Sequence, residues 1–283
     1  MITCPACLNT KRMMKVGYRK TGHPPYFRCY ECRTLLLHPM PNNLELRIYY
    51  EKLAEFGSYS KTQTSFRDQS ILDFLDNCLT RPDGRNWLDY GCFDGYLLKN
   101  IQARGFVGFG VEIQNAARLS AQAIANGKVV DVLEKNSINE RIDIVSMKDS
   151  IEHLTNPDQV FLEILNVTDS NAEIFIQTPN ATSFSSFILK KNWACLNSPE
   201  HTIIFSEKGL TIFLDRNGWE VQRVKVISKF LTFEYVLMQL ENFGSYQSQA
   251  RFLRKILPNS FKNLKLRFFG GEFFVKAIRK VET

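Results

Sequence analysis

The chain has 283 residues, 44% of them hydrophobic and 23% charged, the balance of an ordinary globular protein with room for one substantial domain and a small appendage. No apolar run approaches the roughly 20 residues that span a bilayer, and the opening MITCPACLNTKRMMK lacks the apolar centre of a signal peptide, so export is not expected and the cytoplasm is the expected location. A net charge of +7 and a pI near 9.0 suit an anionic substrate, a nucleic acid or a membrane surface, and equally suit a basic soluble enzyme that meets none of them.

Residues 1–40 carry two Cys-x-x-Cys pairs, Cys4-Pro5-Ala6-Cys7 and Cys29-Tyr30-Glu31-Cys32, which take four of the seven cysteines. Each pair offers two thiolates to one tetrahedral zinc, and two such knuckles close a four-sulfur site, so a zinc ribbon is expected. A segment this short cannot rest on its own apolar core, and metal binding would supply much of its stability. Four sulfurs leave zinc no open position, which makes the expected metal structural. A disulfide is disfavoured in a reducing compartment, and a redox pair needs no second pair beside it. His23 and His38 are near in sequence, but the pattern does not require them. The ribbon's cations (Lys11, Arg12, Lys15, Arg19, Lys20, Arg28, Arg33) either grip phosphates or keep a small module soluble. Of the other cysteines, Cys78 falls on an amphipathic run, Cys92 in a glycine-containing loop and Cys195 after Trp193; none has the partner of a nucleophile.

Pro39-Met40-Pro41 breaks this ribbon from a larger domain, 41–283. Leu44–Phe56 has helical periodicity, and Tyr59–Arg67 reads as a loop or cap. From Ser70 onward helix and strand patterns alternate: helix Ser70–Leu79, strand Asn86–Asp89, helix Tyr96–Arg104, strand Phe106–Val111, helix Asn115–Asn126, strand Lys128–Val132. Strand Ile142–Met147, helix Asp158–Leu165 and strand Glu173–Gln177 follow. Such alternation predicts an α/β fold, a mostly parallel sheet with helices on both faces. Ligands bind these sheets beyond the carboxyl ends of the strands, and Asp89, Glu112, Asp131 and Asp149 all fall at or near those ends. The last third reads as a Ser-capped helix Ser206–Arg216, a strand Trp219–Ile227, a helical insertion within about 231–265 and a final strand Glu272–Ile278.

The stretch Asn86–Leu98 (NWLDYGCFDGYLL) organises the rest. Gly91 and Gly95 let the backbone turn sharply and let a ligand approach where a Cβ would block it. About 20 residues further on, Glu112 closes the next strand, where nucleotide-binding α/β folds keep an acid for ribose hydroxyls. This stretch resembles the cofactor loop of class I S-adenosylmethionine-dependent methyltransferases, acid-x-Gly-x-Gly-x-Gly. Asp89, Gly91 and Gly95 match it; Phe93 stands where the middle glycine is common and Asp94 where a small residue is usual. Lys148–Leu154 (KDSIEHL) is similar to the acid-x-x-Glu-His segment of the branch containing ubiquinone-pathway and sugar O-methyltransferases. Gln177-Thr178-Pro179-Asn180 and Glu200-His201 follow in that branch's order, so the resemblance runs from about Trp87 to Trp219. It implies a Rossmann-like sheet whose last strand is reversed and inserted beside its neighbour. It also implies S-adenosylmethionine held by Asp89, Gly91, Gly95 and Glu112, with Asp131 near the adenine and Asp149 beside them. Tyr50, Tyr59 and Arg67, before the first strand of the sheet, are candidates to close over the cofactor, with packing the alternative for the tyrosines.

Methyl transfer is an in-line displacement, and a hydroxyl acceptor must lose its proton as the bond forms. With only four histidines in the chain, His153 and His201 are the candidate bases, and Glu152 and Glu200 the carboxylates that would orient them. Alternatively these are a helix-starting acid with a packed histidine and a loop clasp, or Glu152 and His153 hold a divalent cation that lowers a hydroxyl's pKa. The branch implies O-methylation of a small-molecule or glycan-type acceptor, such as a nucleotide- or lipid-linked sugar. The Asn/Asp-Pro-Pro-aromatic segment of adenine-amine methylation is replaced by Asp149-Ser150-Ile151-Glu152, yet a basic zinc ribbon keeps an RNA substrate open. A non-catalytic module that has kept the fold is the third reading, resting on Phe93 and Asp94. Arg251–Arg267 has six basic residues and no acid, interleaved with Phe, Leu and Ile; it fits an anionic bilayer surface or simply an amphipathic cover for the sheet.

Overall fold

The computed structural model describes residues 2–16, 24–55, 64–78, 80–134, 136–241 and 247–280. Arg19, Lys20, His23 and Tyr59 lie outside this set, as does the side chain of Arg67. The chain opens with three antiparallel strands, β1 (Met13–Val16), β2 (Tyr26–Cys29) and β3 (Leu35–Leu37). All three leucines of β3 are buried, because the strand has the ribbon on one side and the rest of the molecule on the other. A fourth strand comes from much later in the chain: Ile203–Ile204 (β9) pairs antiparallel with β3.

The large sheet begins after helices α1 (Asn43–Glu55) and α2 (Thr64–Cys78). Its strands are β4 (Asn86–Tyr90), β5 (Val107–Val111), β6 (Val129–Val130), β7 (Ile142–Lys148), β8 (Thr168–Pro179), β10 (Trp219–Thr232) and β11 (Lys265–Arg279). They lie in the order β10-β11-β8-β7-β4-β5-β6. The five central and far strands are parallel, and β11 runs antiparallel between β8 and β10. This is the mostly parallel sheet with a reversed, inserted last strand that the sequence led us to expect.

Alternate residues of each central strand feed two cores, as the two-residue period of a strand requires. Trp87, Ile144, Phe175 and Phe274 face one side and pack with α2, α3 (Tyr96–Ala103) and α4 (Asn115–Ile124). Their neighbours Leu88, Val145, Ile174 and Val275 face the other, against α5 (Pro157–Val167) and α7 (Glu207–Arg216). Because the sheet is covered on both faces, β8 is buried without interruption from Ile174 to Pro179. The ribbon shares the second core: Cys4, Ala6, Cys29 and Cys32 pack in one cluster with Phe205 and Phe213.

Several boundaries differ from the sequence pattern. α2 begins at Thr64, within the stretch read as a loop, rather than at Ser70, and β8 begins at Thr168 rather than Glu173. β10 runs on to Thr232 rather than ending at Ile227, and β11 begins at Lys265 rather than Glu272. After a register shift at Ile227/Ser228 the two strands continue as a pair from Ser228↔Phe269 to Thr232↔Lys265. The inserted helices α8 (Phe233–Glu241), α9 (Gln247–Ile256) and α10 (Asn259–Lys262) are therefore carried at the end of a two-stranded arm. Apolar runs such as Phe230-Leu231 have no period long enough to separate strand from helix.

Candidate active site

The loop after β4 turns sharply at Gly91 (φ +84°) and again at Gly95 (φ +80°), both in the left-handed region. Space excludes a side chain at both places as well. A Cβ on Gly91 would stand 2.6 Å from Ser150 Cβ, and one on Gly95 2.8 Å from Ala121 Cα in α4. Phe93, where the family form has its middle glycine, is also left-handed (φ +47°). It is held there because its N–H donates to Glu112 Oε2 at 2.9 Å. Asp94, at the small-residue position, accepts from Tyr96 N at 3.3 Å and so caps the first turn of α3.

Glu112 directly follows β5, with its carboxylate turned to this loop. Oε2 takes the Phe93 N–H and Oε1 the Gln114 N–H at 2.7 Å, so each oxygen keeps accepting capacity for another donor. Burial raises its pKa, opposed by those two backbone bonds. Asp89 lies at the end of β4, buried, and accepts from Ser146 Oγ at 2.7 Å, which in turn accepts from Trp87 Nε1 at 2.9 Å. Burial pushes its pKa up to about 7, with the Ser146 bond pulling the other way. Asp131 and Asp149 are exposed; Asp131 accepts from the Val132 N–H, and Asp149 pairs with Lys148.

These groups surround one cavity of about 550 Å³, within the usual range for a ligand site. Asp89, Gly91, Glu112, Asp131 and Asp149 line it, with Tyr50, His153 and Glu200; Phe93 is part of its wall rather than a plug. Gly95 is not on its surface and serves the close packing of the loop on α4. Ser150 Oγ, beside Gly91, is buried with no hydrogen-bond partner among the described residues. A glycine cradle, a hydroxyl without a partner among the described residues and a carboxylate with open lone pairs fit a nucleoside cofactor such as S-adenosylmethionine, and Asp89 and Glu112 are the carboxylates placed to hold it.

A second group of side chains adjoins the cavity. Glu152 and His153 lie on the 3-10 turn Ile151–His153 after β7, and His201 precedes β9. The two imidazoles meet edge to face with centroids 4.8 Å apart. His201 Nδ1 lies 2.8 Å from the Cys195 carbonyl and His153 Nδ1 3.0 Å from the Glu200 carbonyl. A carbonyl oxygen only accepts, so the tautomer protonated at Nδ1 satisfies both carbonyls and leaves each Nε2 a lone pair; at His153 the Tyr50 hydroxyl, 2.9 Å from Nδ1, then accepts as well. Burial holds both imidazoles below their usual pKa, His153 down to about 3, where the neighbouring His201 adds to the effect. Glu152 accepts from Thr178 Oγ1 at 2.9 Å, and burial with the nearby Asp149 raises its carboxyl to about 8. One ligand atom from each of Glu152, His153 and His201 falls within a 4.8 Å group.

The expectation that Glu152 and Glu200 orient the imidazoles through their carboxylates needs correction. Backbone carbonyls do the orienting, while the Glu200 carboxylate accepts from Tyr49 OH at 2.8 Å. Four supporting residues were not assigned these roles from sequence. Tyr50 OH is 2.9 Å from His153 Nδ1, Thr202 anchors the Glu152 carbonyl through N–H and hydroxyl, Thr178 holds the Glu152 carboxylate, and Tyr26 of the ribbon donates to the His201 carbonyl at 2.6 Å. Tyr26 and His201 are 175 positions apart, a separation that no local pattern reports.

In the ribbon, Cys4, Cys7, Cys29 and Cys32 converge. Sγ–Sγ separations of 3.5 Å (Cys4–Cys32) and 3.6 Å (Cys7–Cys29) are far beyond a disulfide and close to the roughly 3.8 Å edge of a tetrahedron with 2.3 Å zinc–sulfur bonds. The thiols fit zinc.

A family described as a methyltransferase domain matches residues 64–224. A ubiquinone biosynthesis O-methyltransferase of Glaesserella parasuis is 27% identical over 112 residues, which cover 35% of this chain and 48% of that protein; the chain thus spans about half of that curated relative. Among solved structures, a methyltransferase of unassigned substrate from Bacillus halodurans superposes with TM-score 0.52 at 14% identity, covering 75% of this chain and 99% of that one. Magnesium protoporphyrin IX methyltransferase from Synechocystis, solved with bound SAH, gives TM-score 0.52 at 14% identity, covering 84% and 100%. The structural likenesses carry the fold, the family match carries more than half of the sequence, and together they identify the chain as belonging to the methyltransferase-domain family, with the fold of the solved methyltransferases.

Proposed function

We propose that the protein transfers a methyl group to a hydroxyl oxygen of a small-molecule or glycan-type acceptor, with the acceptor set against His153. The observation that carries this reading is the position of His153. It lines the same cavity as Asp89 and Glu112, with Nδ1 pinned and the Nε2 lone pair available. The name of the Glaesserella relative, an O-methyltransferase, supports an oxygen acceptor. Bound S-adenosylmethionine supplies an electrophilic sulfonium methyl. Glu112 takes the ribose hydroxyls, the Gly91 turn admits the cofactor beside Ser150, and Asp89 balances its positive charge. His153, kept neutral because burial holds its pKa near 3, would accept the hydroxyl proton at Nε2 as the oxygen bonds to the methyl carbon, the carbon–sulfur bond breaks and S-adenosylhomocysteine leaves. Cys4, Cys7, Cys29 and Cys32 hold a structural zinc.

A second reading of the same cluster is favoured by the gathering of Glu152, His153 and His201 ligand atoms within 4.8 Å. A carboxylate and two imidazoles with free Nε2 lone pairs are the donor set of a divalent cation, which would lower the pKa of an acceptor hydroxyl. A pKa near 3 suits His153 as a ligand better than as a proton acceptor. Methylation of hydroxyl acceptors by protein freed of metal at this cluster separates the two. Activity that survives EDTA and falls at least about 100-fold in His153→Ala supports the base. Activity lost in EDTA and restored by a magnesium or manganese salt, with the ribbon zinc unchanged by elemental analysis, supports the cation. Methylation confined to RNA, or no cofactor binding by calorimetry, overturns the hydroxyl-acceptor reading.

A further inference from the structure

Away from the cofactor cavity, a groove of about 760 Å³ runs between the ribbon and the segment after β8. The ribbon contributes Lys15 of β1, Arg28 of β2 and Arg33 of the following turn; the other wall is the short helix α6 (Phe184–Leu189) and the 3-10 turn Lys190–Asn192. Among the described residues, five cations, these three with Lys190 and Lys191, line the groove, and no carboxylate does. The sequence explains why. The first acid in the chain is Glu31, and no acid occurs from Ala181 to Pro199, so both walls come from acid-free stretches. Glu31 itself pairs with Lys208. Cys29 follows Arg28 on a strand and points to the opposite face, so the thiolate cluster does not serve as Arg28's counter-charge.

Arg28 is held in place by donating to the Ala181 carbonyl at 3.0 Å, which leaves most of its N–H groups for a ligand. Like charges gathered in a cleft repel one another and favour any anion that enters. Beside the cations the wall is apolar and exposed: Phe187 is 74% and Ile188 56% accessible. Such side chains on a six-residue helix bury nothing for the fold. The groove is also close to the chemistry, since Arg28 is two residues along β2 from Tyr26, about 7 Å, and Tyr26 holds the His201 carbonyl.

We propose that this groove binds the phosphoryl group of a small phosphorylated amphiphile, the anion on Arg28, Arg33, Lys15, Lys190 and Lys191 and the apolar part along Phe187 and Ile188. Isothermal titration of the full-length protein with inorganic pyrophosphate, farnesyl diphosphate and a structured RNA tests it. Both diphosphates should bind, the farnesyl ester more tightly. Lys190→Gln with Lys191→Gln should weaken both by at least about tenfold, whereas Phe187→Ser should weaken the farnesyl ester alone. Because Arg28 also ties the ribbon to Ala181, the exposed lysine pair carries the test, with near-ultraviolet circular dichroism to confirm the fold. No heat with either diphosphate, unchanged binding in the lysine variant, or binding confined to RNA would overturn the proposal. Neither cofactor nor turnover enters the readout, so a failure here leaves the methyl-transfer reading intact.

Discussion

Left-handed backbone costs a residue with a side chain about 1–2 kcal/mol, and the cofactor loop adopts it at Gly91, Phe93 and Gly95 in turn. Only Phe93 bears that cost, offset in part by its bond to Glu112. At Gly91 two penalties coincide, the φ of +84° and the 2.6 Å approach to Ser150 Cβ. Gly91→Ala should therefore lower stability by about 1–3 kcal/mol and weaken cofactor binding by more than tenfold, measured by thermal denaturation and calorimetry. Unchanged affinity would mean that the cofactor does not use this turn. Asp89 gives a second test at this scale. Its folded pKa of about 7 stands above the ordinary 3.8, so folding favours the protonated carboxyl. That contribution is complete below about pH 4 and is lost as pH rises through 7. In the cofactor-free protein Asp89→Asn removes this dependence and still accepts from Ser146. The variant should match the parent near pH 4 and exceed its stability at pH 8 by on the order of 1–3 kcal/mol, as read from urea unfolding at each pH. A constant difference across that range would place the titration elsewhere.

Among the elements, α9 turns apolar side chains outward beside a row of cations. Ala250 is buried and Arg254 pairs with Glu234 and Glu241 of α8, which fixes the inner face. One step round the helix stand Arg251 and Lys255, and beyond them Phe252 (62% exposed) and Ile256 (57%), both wet. A cationic row beside an aromatic–aliphatic row is what an interfacial helix presents to acidic lipid. Flotation with phosphatidylglycerol vesicles should recover the protein, neutral phosphatidylcholine vesicles should not, and Phe252→Ser with Ile256→Ser should abolish recovery. Recovery that persists in this variant would move the contact to another surface. Elements like α9 also show what could be read from one dimension. The alternation from Asn86 to Gln177 gave the strands, their parallel sense and the acids at their carboxyl ends, because each pattern is local. The arm formed by Ser228–Thr232 and Lys265–Phe269 was not legible, since pairing between distant runs leaves no period within either. The same limit hid the site's supports. Glu152-His153 and Glu200-His201 stand out as residue pairs, but their orientation comes from carbonyls of Glu200 and Cys195 and hydroxyls of Tyr50 and Tyr49, which only the fold brings near.

For the whole molecule, the decisive feature is that the ribbon is built into the enzyme rather than hung on it. β3 and β9 share a sheet, Leu37 N–H donates to Thr202 O at 2.8 Å, and Arg216 of α7 donates to the Ala6 carbonyl at 3.2 Å. The Ser206 hydroxyl that caps α7 also donates to the Cys32 carbonyl. Tyr26 closes the connection by holding His201. If zinc on Cys4, Cys7, Cys29 and Cys32 holds the ribbon together, as proposed above, its loss should reach the segment that carries His201 through β3, β9 and Tyr26. Loss of one sulfur tests this without touching the cavity. Cys29→Ser should lower bound zinc to well below one per chain by elemental analysis and cost about 2–5 kcal/mol. The melting profile should stay a single transition at a lower temperature, because the ribbon and the large sheet share one core. Cofactor affinity should change little, since Asp89 lies on β4 and Glu112 directly after β5, while turnover should fall with the displacement of His201. A separate low-temperature transition with turnover preserved would show instead that the ribbon unfolds alone and that the active-site loop does not depend on it.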